Sequence, residues 1–278
     1  MKCNQLAESK PMSHAIITGG SSGIGFSIAK ILVQNDCSVT LLARGNDRLV
    51  LAQQALQRLC ANNNATKIHI ISVDVCDPTA MNKAVTQAIE NLGTPQYVIM
   101  SAGVVNPGYF EDLKLAQFHQ DMDTNYFGSL HTVQAVLPFM NQQKTGKLVF
   151  VSSAAGLIGL WGYGSYSPSK FALMGLAQVL RGELRPQGIQ VSIAFPADTD
   201  TPQFQAELPI RPKETSIIAG TAKVWSADDM AKAIMKKVDK GRFRIAPGLE
   251  IGALAIFGSL VAPVLNWWFD LLVKRKCQ

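Results

Sequence analysis

The stretch His14-Ala15-Ile16-Ile17-Thr18-Gly19-Gly20-Ser21-Ser22-Gly23-Ile24-Gly25 decides the fold of this chain. Its mostly apolar start predicts a short buried strand, and an amphipathic pattern up to about residue 34 predicts a helix after the glycines. The first glycine allows a tight turn, the second lets the backbone approach a pyrophosphate, and the third lets the helix pack closely on the sheet. Because a helix N-terminus favours anions, this order predicts a dinucleotide site. Its expected contact residues are Gly19, Ser21, Ser22, Gly23, Ile24 and Gly25.

Strand and helix patterns alternate along the rest of the chain. Strands are predicted at residues 38–43, 67–73, 96–100, 148–151, 189–195 and 243–246, and helices at 47–60, 78–91, 115–142 and 226–239. This alternation predicts an α/β fold: a Rossmann-type, doubly wound parallel sheet in three α/β/α layers, with an apolar C-terminal extension.

The end of the second predicted strand indicates which nucleotide is bound. An acidic residue there would bind a ribose 2′-hydroxyl and select NAD. This chain has Arg44, with Arg48 one helical turn later. Two guanidinium groups fit a 2′-phosphate, so the sequence favours NADP over the alternative of ordinary surface arginines.

The loops after the later strands carry small, acidic and hydroxyl residues that fit the rest of the cofactor. An aspartate at a strand end can accept a hydrogen bond from an adenine amino group, small residues admit a ribose, and threonines can reach a nicotinamide carboxamide. The residues expected to contact the cofactor in these loops are Asp74, Val75, Ala102, Gly103, Pro196, Thr199 and Thr201. Residues 203–225 have mixed polarity and several prolines, which predicts an irregular stretch. Together with the preceding turn, about 197–225, it is expected to form a mobile lid over the substrate.

Ser153, Tyr166 and Lys170 are the candidate catalytic residues. Tyr166 and Lys170 are four residues apart, so on a helix they share a face, and a nearby ammonium is expected to lower the phenol pKa. Ser153 ends an apolar strand and can place its hydroxyl beside the tyrosine, where both would hold a carbonyl oxygen. A surface tyrosine and lysine at this spacing are the alternative reading. Asn125 lies inside a predicted helix, where it is locally unfavourable. It is either a tolerated polar residue or a residue that holds a water and bends the helix at the site.

Composition excludes several classes of protein. The chain is 278 residues long, 47% hydrophobic and 17% charged, which excludes a disordered chain and fits one large domain. Half of its net charge of +6 equals the three basic residues at 274–276, and no basic stripe interleaved with aromatics is present, so we expect no nucleic-acid binding. The five cysteines are scattered without a CxxC pair, which favours free thiols in a reducing compartment. The histidines show no metal-ligand spacing, so no metal is expected.

Residues 249–278 form an apolar C-terminal segment with a basic tail. Residues 251–269 contain no charge, although Gly252, Gly258 and Pro263 interrupt them. The paired Trp267 and Trp268 and the basic tail fit the surface of a membrane with anionic lipids. An arm packed on a partner subunit and a cover for an apolar substrate channel are the alternatives, and a single membrane span is the less favoured form of membrane association.

The motifs together are similar to a known family. TGGSSGIG at 18–25, NYFG at 125–128, paired serines at 152–153, YxxxK at 166–170 and a proline-led loop at 196 resemble the short-chain dehydrogenases/reductases over about residues 14–246. The resemblance implies four catalytic residues: Asn125, Ser153, Tyr166 and Lys170. The usual NNAG is Met100-Ser101-Ala102-Gly103 here, and the usual PG is Pro196-Ala197.

A narrower resemblance indicates a substrate. Ser72-Val73-Asp74-Val75 and Asp198-Thr199-Asp200-Thr201-Pro202 are similar to the 3-ketodihydrosphingosine reductases. This implies NADPH/NADP as cofactor, a long-chain keto-lipid as substrate, and a homodimer or homotetramer formed through the helices that carry Asn125 and Tyr166. A reductase of a steroid, retinoid or 3-oxoacyl substrate, and a scaffold protein without turnover, are the alternatives.

The resulting organisation has three parts. We expect residues 1–13 to be a polar tail with neither a signal peptide nor the N-terminal anchor that eukaryotic members of the resembling group carry. Residues 14–248 are the NADP-binding catalytic domain, and residues 249–278 are the apolar extension. We expect the catalytic domain to be cytoplasmic and associated with a membrane at its cytosolic face.

Overall fold

Seven parallel strands form one sheet in the computed structural model, which describes residues 13–60, 66–220 and 223–276. In chain order they are β1 (His14–Thr18), β2 (Ser38–Ala43), β3 (Ile68–Ser72), β4 (Tyr97–Met100), β5 (Gly146–Val151), β6 (Ile189–Ala194) and β9 (Arg244–Ile245). Their order across the sheet is β3-β2-β1-β4-β5-β6-β9, and every pairing is parallel. The order reverses between β1 and β4, and in such sheets ligands bind beyond the carboxyl ends of the strands at this reversal.

Ten α-helices connect or flank the strands in the described part of the chain. They are α1 (Gly23–Gln34), α2 (Asn46–Leu59), α3 (Pro78–Leu92), α4 (Leu115–Met122), α5 (Gly128–Gln143), α6 (Tyr166–Leu184), α7 (Pro202–Glu207), α8 (Lys213–Ala219), α9 (Ala227–Val238) and α10 (Leu249–Lys276). A five-residue π-helical turn, Asp123–Phe127, joins α4 to α5. A second, two-stranded parallel sheet consists of β7 (Thr199–Asp200) and β8 (Trp225–Ser226).

Apolar side chains cover both faces of the sheet. On one face, Ile16 and Phe150 pack with α3, α5 and α6. On the other face, Ile17 and Leu41 pack with α1, α2 and α9. Neighbouring residues of a strand point to opposite faces, so strands buried on both sides are mostly apolar. The three-layer, doubly wound α/β fold is therefore confirmed.

The stretch after β6 is more regular than its composition predicts. Residues 203–225 were expected to be irregular, but they contain α7, α8 and the start of β8. The hydroxyl of Thr201 accepts a hydrogen bond from the Phe204 N–H at 3.2 Å, and Pro202 occupies the first turn of α7. Arg211, between α7 and α8, forms ion pairs with Glu207 and Asp198. These contacts connect α7, the loop before α8 and the loop after β6, and the Thr215 hydroxyl joins the segment to the rest of the domain by donating to the Trp161 carbonyl at 2.6 Å.

The apolar C-terminal stretch is one helix, α10, which continues through its two glycines and Pro263. Its first half packs on α8 and on the body of the protein, where the guanidinium of Arg244 donates to the carbonyl of Ala255 at 3.1 Å. Its outer face exposes large apolar side chains. None of the helices in the described ranges has the length and apolar character needed to cross a membrane.

His14 fixes the start of β1 with a neutral imidazole. The ring is almost fully buried; Nδ1 lies 2.7 Å from the carbonyl oxygen of Gly93, and Nε2 lies 2.9 Å from the hydroxyl of Thr40. The carbonyl can only accept, so Nδ1 carries the proton and Nε2 accepts from Thr40. Burial lowers the pKa of His14 from 6.5 to about 4, and the Gly93 contact partly opposes the shift.

We expect His14 to make the fold sensitive to acid. The unfolded chain binds a proton at this site below about pH 6.5 whereas the folded chain does not until about pH 4, so stability falls as pH falls through this window. His14→Gln keeps a donor and an acceptor but cannot titrate. Its melting temperature should fall less than that of the wild type between about pH 7 and about pH 5.

His119→Gln is the matched control because His119 is exposed on α4. It should show the same loss of melting temperature with pH as the wild type. Equal pH dependence in the wild type and His14→Gln would contradict this assignment.

Candidate active site

A cavity of about 300 Å³ lies at the carboxyl ends of β1 to β6. The loop that follows each of these strands contributes to its wall. Most residues predicted for the site line it: Gly19, Ser21, Ser22, Gly23, Ile24, Arg44, Arg48, Asp74, Val75, Ala102, Gly103, Ser153, Tyr166, Lys170, Pro196, Thr199 and Thr201. Gly25 and Asn125 are not part of its surface.

In the glycine-rich turn between β1 and α1, the glycine positions have no room for larger residues. Gly19 has a φ of +66°, and a Cβ there would lie 2.7 Å from the backbone nitrogen of Ala102. Gly23 has a φ of +56°. A Cβ at Gly25 would lie 2.6 Å from the carbonyl oxygen of Gly19, so Gly25 supports the turn from behind instead of facing the cavity. The turn leaves backbone N–H groups at the start of α1 available to an anion.

Positive charge marks one end of the cavity. Arg44 and Arg48 line it together with Asp74. The guanidinium of Arg44 lies 4.0 Å from the Asp74 carboxylate, and both side chains are about half exposed. The other oxygen of this carboxylate accepts the Cys76 N–H at 3.0 Å. Two cations and one anion leave a net positive charge, which fits a phosphate group.

The opposite end holds the serine, tyrosine and lysine. Ser153 follows β5, and Tyr166 is the first residue of α6. The Nζ of Lys170 lies 5.5 Å from the centroid of the Tyr166 ring, as expected for neighbours on one helix face. Nζ also donates to the carbonyl of Val151 at 3.2 Å. The structure therefore brings the end of β5 and the first turn of α6 together.

The pKa of Tyr166 is raised above its ordinary value, so the expectation of a lowered pKa is wrong for this structure. Burial is the main cause; a hydrogen bond with Ser153 opposes the shift, and the carboxylates of Glu207, Asp121 and Asp198 add to it. Burial also lowers the pKa of Lys170 to about 8, with Asp121 opposing. At neutral pH Tyr166 is therefore a protonated phenol, and most Lys170 side chains are charged.

Asn125 lies in the π-helical turn, behind the cavity wall. Its Oδ1 accepts the Val104 N–H at 2.8 Å, and its Nδ2 donates to the Val104 carbonyl at 3.0 Å and to the Ser169 hydroxyl at 2.8 Å. A Cβ added to Gly103 would lie 3.0 Å from this Oδ1 and 3.3 Å from Lys170 Nζ. Asn125 thus ties the loop after β4 to α6, and the break in regular α-helix falls where its sequence indicated.

A network of charged and phenolic groups was missed by the sequence analysis. Tyr163, Asp198, Glu207 and Arg211 all line the cavity beside Tyr166. The rings of Tyr163 and Tyr166 meet edge to face with their centroids 5.3 Å apart. Glu207 and Arg211 are four residues apart, which is helical spacing, but the stretch was interpreted as irregular. No local pattern connects Tyr163 to this pair.

Comparison with known proteins agrees with the fold and the motifs. A family model for short chain dehydrogenases matches residues 13–210. The chain is 39% identical over 257 residues to a 3-ketodihydrosphingosine reductase of Bos taurus, covering 92% of this chain and 77% of that protein. It is 34% identical over 278 residues to a 3-ketodihydrosphingosine reductase of Dictyostelium discoideum, covering 95% and 83%.

A solved structure shares the fold. It is a short-chain dehydrogenase from Sphingobium yanoikuyae in complex with NADPH, with a TM-score of 0.76 and 23% sequence identity. The match covers 93% of this chain and 96% of that one. At this identity the likeness concerns the fold alone.

Proposed function

This chain belongs to the short-chain dehydrogenase family, and we propose that it reduces 3-ketodihydrosphingosine to dihydrosphingosine with NADPH, a step in making sphingolipids. One observation carries the proposal. A single cavity has Arg44 and Arg48 at one end and Ser153, Tyr166 and Lys170 at the other. Such an arrangement can hold the 2′-phosphate of a dinucleotide at the arginine end and a substrate carbonyl group at the end with Ser153, Tyr166 and Lys170.

The chain's own residues account for binding of the cofactor. The glycine-rich turn and the start of α1 bind the pyrophosphate, and the two arginines bind the 2′-phosphate. Asp74 and Val75 contact the adenine, and Ala102 and Gly103 leave room for a ribose. The loop at Pro196, Thr199 and Thr201 contacts the nicotinamide carboxamide. When bound, NADPH supplies the hydride that reaches the carbonyl carbon.

Ser153 and Tyr166 act on the carbonyl oxygen. The Ser153 hydroxyl polarises it, and Tyr166 donates a proton as negative charge develops there. The raised pKa of Tyr166 supports this direction because the residue is protonated before the reaction starts. An alkoxide is far more basic than a phenolate, so proton transfer from the Tyr166 phenol to the alkoxide is favourable.

Lys170 and Asn125 complete the site. The Lys170 ammonium binds the ribose hydroxyls of the cofactor and stabilises the phenolate that Tyr166 becomes. Asn125 holds a water through which a proton returns to Tyr166 by way of Lys170. The close approach of both side chains to Gly103 supports this role.

α10 is proposed to hold the enzyme on a membrane surface. Ile256, Leu260, Val264 and Trp267 recur at helical spacing on one face, and each is at least half exposed. The helix ends in exposed Lys274 and Arg275. An apolar face with cations at one end fits an anionic lipid surface, where the side chains enter the boundary between headgroups and acyl chains.

Pairing of two or four copies through α5 and α6 belongs to the same proposal. Phe171 and Val179 are exposed on one face of α6, two turns apart. A single-chain mass in light scattering would contradict pairing.

The first test is Tyr166→Phe. It removes the proton donor and leaves the ring, so kcat with 3-ketodihydrosphingosine should fall by about a thousandfold while the NADPH dissociation constant stays unchanged. Tyr97→Phe is the control because Tyr97 begins β4, at the end of the sheet remote from the cavity. NADPH oxidation measures turnover, and cofactor fluorescence measures binding.

Unchanged turnover in Tyr166→Phe would reject its role as proton donor. Faster reduction of a steroid, retinoid or 3-oxoacyl ketone by the wild type would reject the substrate. No NADPH oxidation with any ketone would favour a scaffold protein instead.

The second test is flotation of the full chain with lipid vesicles. The wild type should float with vesicles that contain phosphatidylserine, and less with purely neutral vesicles or at high salt. Leu260→Gln should weaken binding by about tenfold because one leucine no longer enters the lipid. Leu51→Gln, which changes another largely exposed leucine, on α2, should bind as the wild type does.

A protein that stays in the aqueous fraction with both kinds of vesicle would contradict the membrane proposal. If, in addition, Leu260→Gln lowered the mass in light scattering, the face would be an interface between subunits.

A further inference from the structure

Four side chains beside Tyr166 form what we term the carboxylate wall: Tyr163, Asp198, Glu207 and Arg211. The Arg211 guanidinium donates to Glu207 from Nε at 2.7 Å and to both Asp198 oxygens at 2.8 and 3.3 Å. The Tyr163 hydroxyl donates to Glu207. The Arg211 side chain is only 4% exposed, so these bonds replace the water that it would otherwise bind.

The carboxylate wall carries an excess of negative charge. It contains two carboxylates and one guanidinium, and burial raises the pKa of Tyr163, which keeps its phenol neutral. Each of the three Arg211 guanidinium nitrogens donates to one of the two carboxylates, and the side chain is only 4% exposed, so it has little capacity left for an anionic ligand. Lys170, another cation near Tyr166, donates to the Val151 carbonyl, and no ion pair joins it to the wall in the described residues. A cation beside the wall would complete its charge balance.

The wall adjoins the position that the substrate carbonyl must take. That oxygen has to lie within hydrogen-bond distance of the Tyr166 hydroxyl, and the Tyr163 ring packs edge to face on Tyr166. Both carboxylates act electrostatically on Tyr166, since each raises its pKa. In a 2-amino-3-ketone the ammonium is carried by the carbon next to the carbonyl. When the carbonyl oxygen is bound at Tyr166, an ammonium on that neighbouring carbon would lie beside the carboxylate wall.

We propose that Asp198 is the specificity-determining residue of this site and binds the protonated 2-amino group of the ketone substrate. The proposal rests on the proposed function and names how the site selects its substrate. Both carboxylates line the cavity, and Asp198 is preferred to Glu207 because its side chain is 25% exposed, whereas that of Glu207 is 8% exposed. Asp198 accepts two hydrogen bonds, both from Arg211, and a carboxylate can accept about four.

The consequence is selection by charge. An amino ketone gains a charge-assisted hydrogen bond, while a neutral ketone leaves Asp198 without its partner. An anionic acyl carrier or carboxylate would be repelled. The carboxylate wall would therefore favour an amino ketone over the steroid, retinoid and 3-oxoacyl ketones that the sequence alone left as alternative substrates.

The test compares two substrates that differ only in the amino group. The long-chain 2-amino-1-hydroxy-3-ketone and its analogue with hydrogen in place of the amine are reduced with NADPH at about pH 6.5, where an amine of this kind is charged. The wild type should show a kcat/KM for the amine at least about tenfold higher. Asp198→Asn removes one negative charge at constant size and should bring the ratio of the two kcat/KM values close to one.

Asp200→Asn is the matched control. Asp200 is two residues away, exposed and outside the cavity lining, and it accepts a hydrogen bond from Gln205 at 2.7 Å. It should keep the wild-type ratio. If Asp198→Asn fails to fold, the wild-type comparison still decides, and Glu207→Gln supplies the second variant, for which a smaller fall in the ratio is expected.

Each outcome is distinct. Equal kcat/KM for both ketones in the wild type, or a ratio that Asp198→Asn leaves unchanged, would overturn this inference while the reductase remains. Reduction of neither ketone would overturn the proposed function itself.

Discussion

The site depends on keeping the ammonium of Lys170 charged inside the protein. Only 5% of this residue is exposed, and burying an ammonium costs several kcal/mol unless partners offset it. The Val151 carbonyl at the end of β5 and the Asp121 carboxylate of α4 supply that offset, and the pKa stays at about 8. Those partners fix where β5, α4 and the first turn of α6 must meet. The same meeting point places Tyr166 and Ser153 together.

The sheet could be predicted because its information is local. Strands such as β4 are apolar throughout, since both faces are buried. The turn after β1 requires glycine at Gly19 and Gly25, where a Cβ would clash with backbone atoms. The stretch at 203–225 was interpreted wrongly because its short helices depend on distant partners. Arg211 holds it through Asp198, and β8 pairs with β7; neither contact follows from periodicity. Helix α10 likewise persists through Pro263 although the sequence reads as interrupted.

The residues of the candidate site likewise divide into those that the sequence could predict and those that it could not. Residues within motifs, such as Gly19 and Tyr166, could be found because spacing along one element places them on one face. The raised pKa of Tyr166 could not be predicted in this way. Spacing identifies its neighbour Lys170, but it does not reveal the burial that is the main cause of the pKa shift. The carboxylate wall was missed for a related reason. Tyr163 and Arg211 are far apart along the chain and become neighbours only after the segment between β6 and α9 folds back on α6.

The proposed membrane contact and the proposed chemistry meet at α8. This helix packs against α10, and its Thr215 hydroxyl donates to the carbonyl of Trp161 at 2.6 Å, next to Leu160 in the cavity wall. A long-chain substrate loses about 0.8 kcal/mol for each CH₂ that it exposes to water. An enzyme held on the membrane by α10 would leave most of the chain in lipid while the ketone reached Tyr166. Because α10 packs on the helix that supports the cavity wall, the proposed membrane contact and the proposed chemistry would be parts of one arrangement.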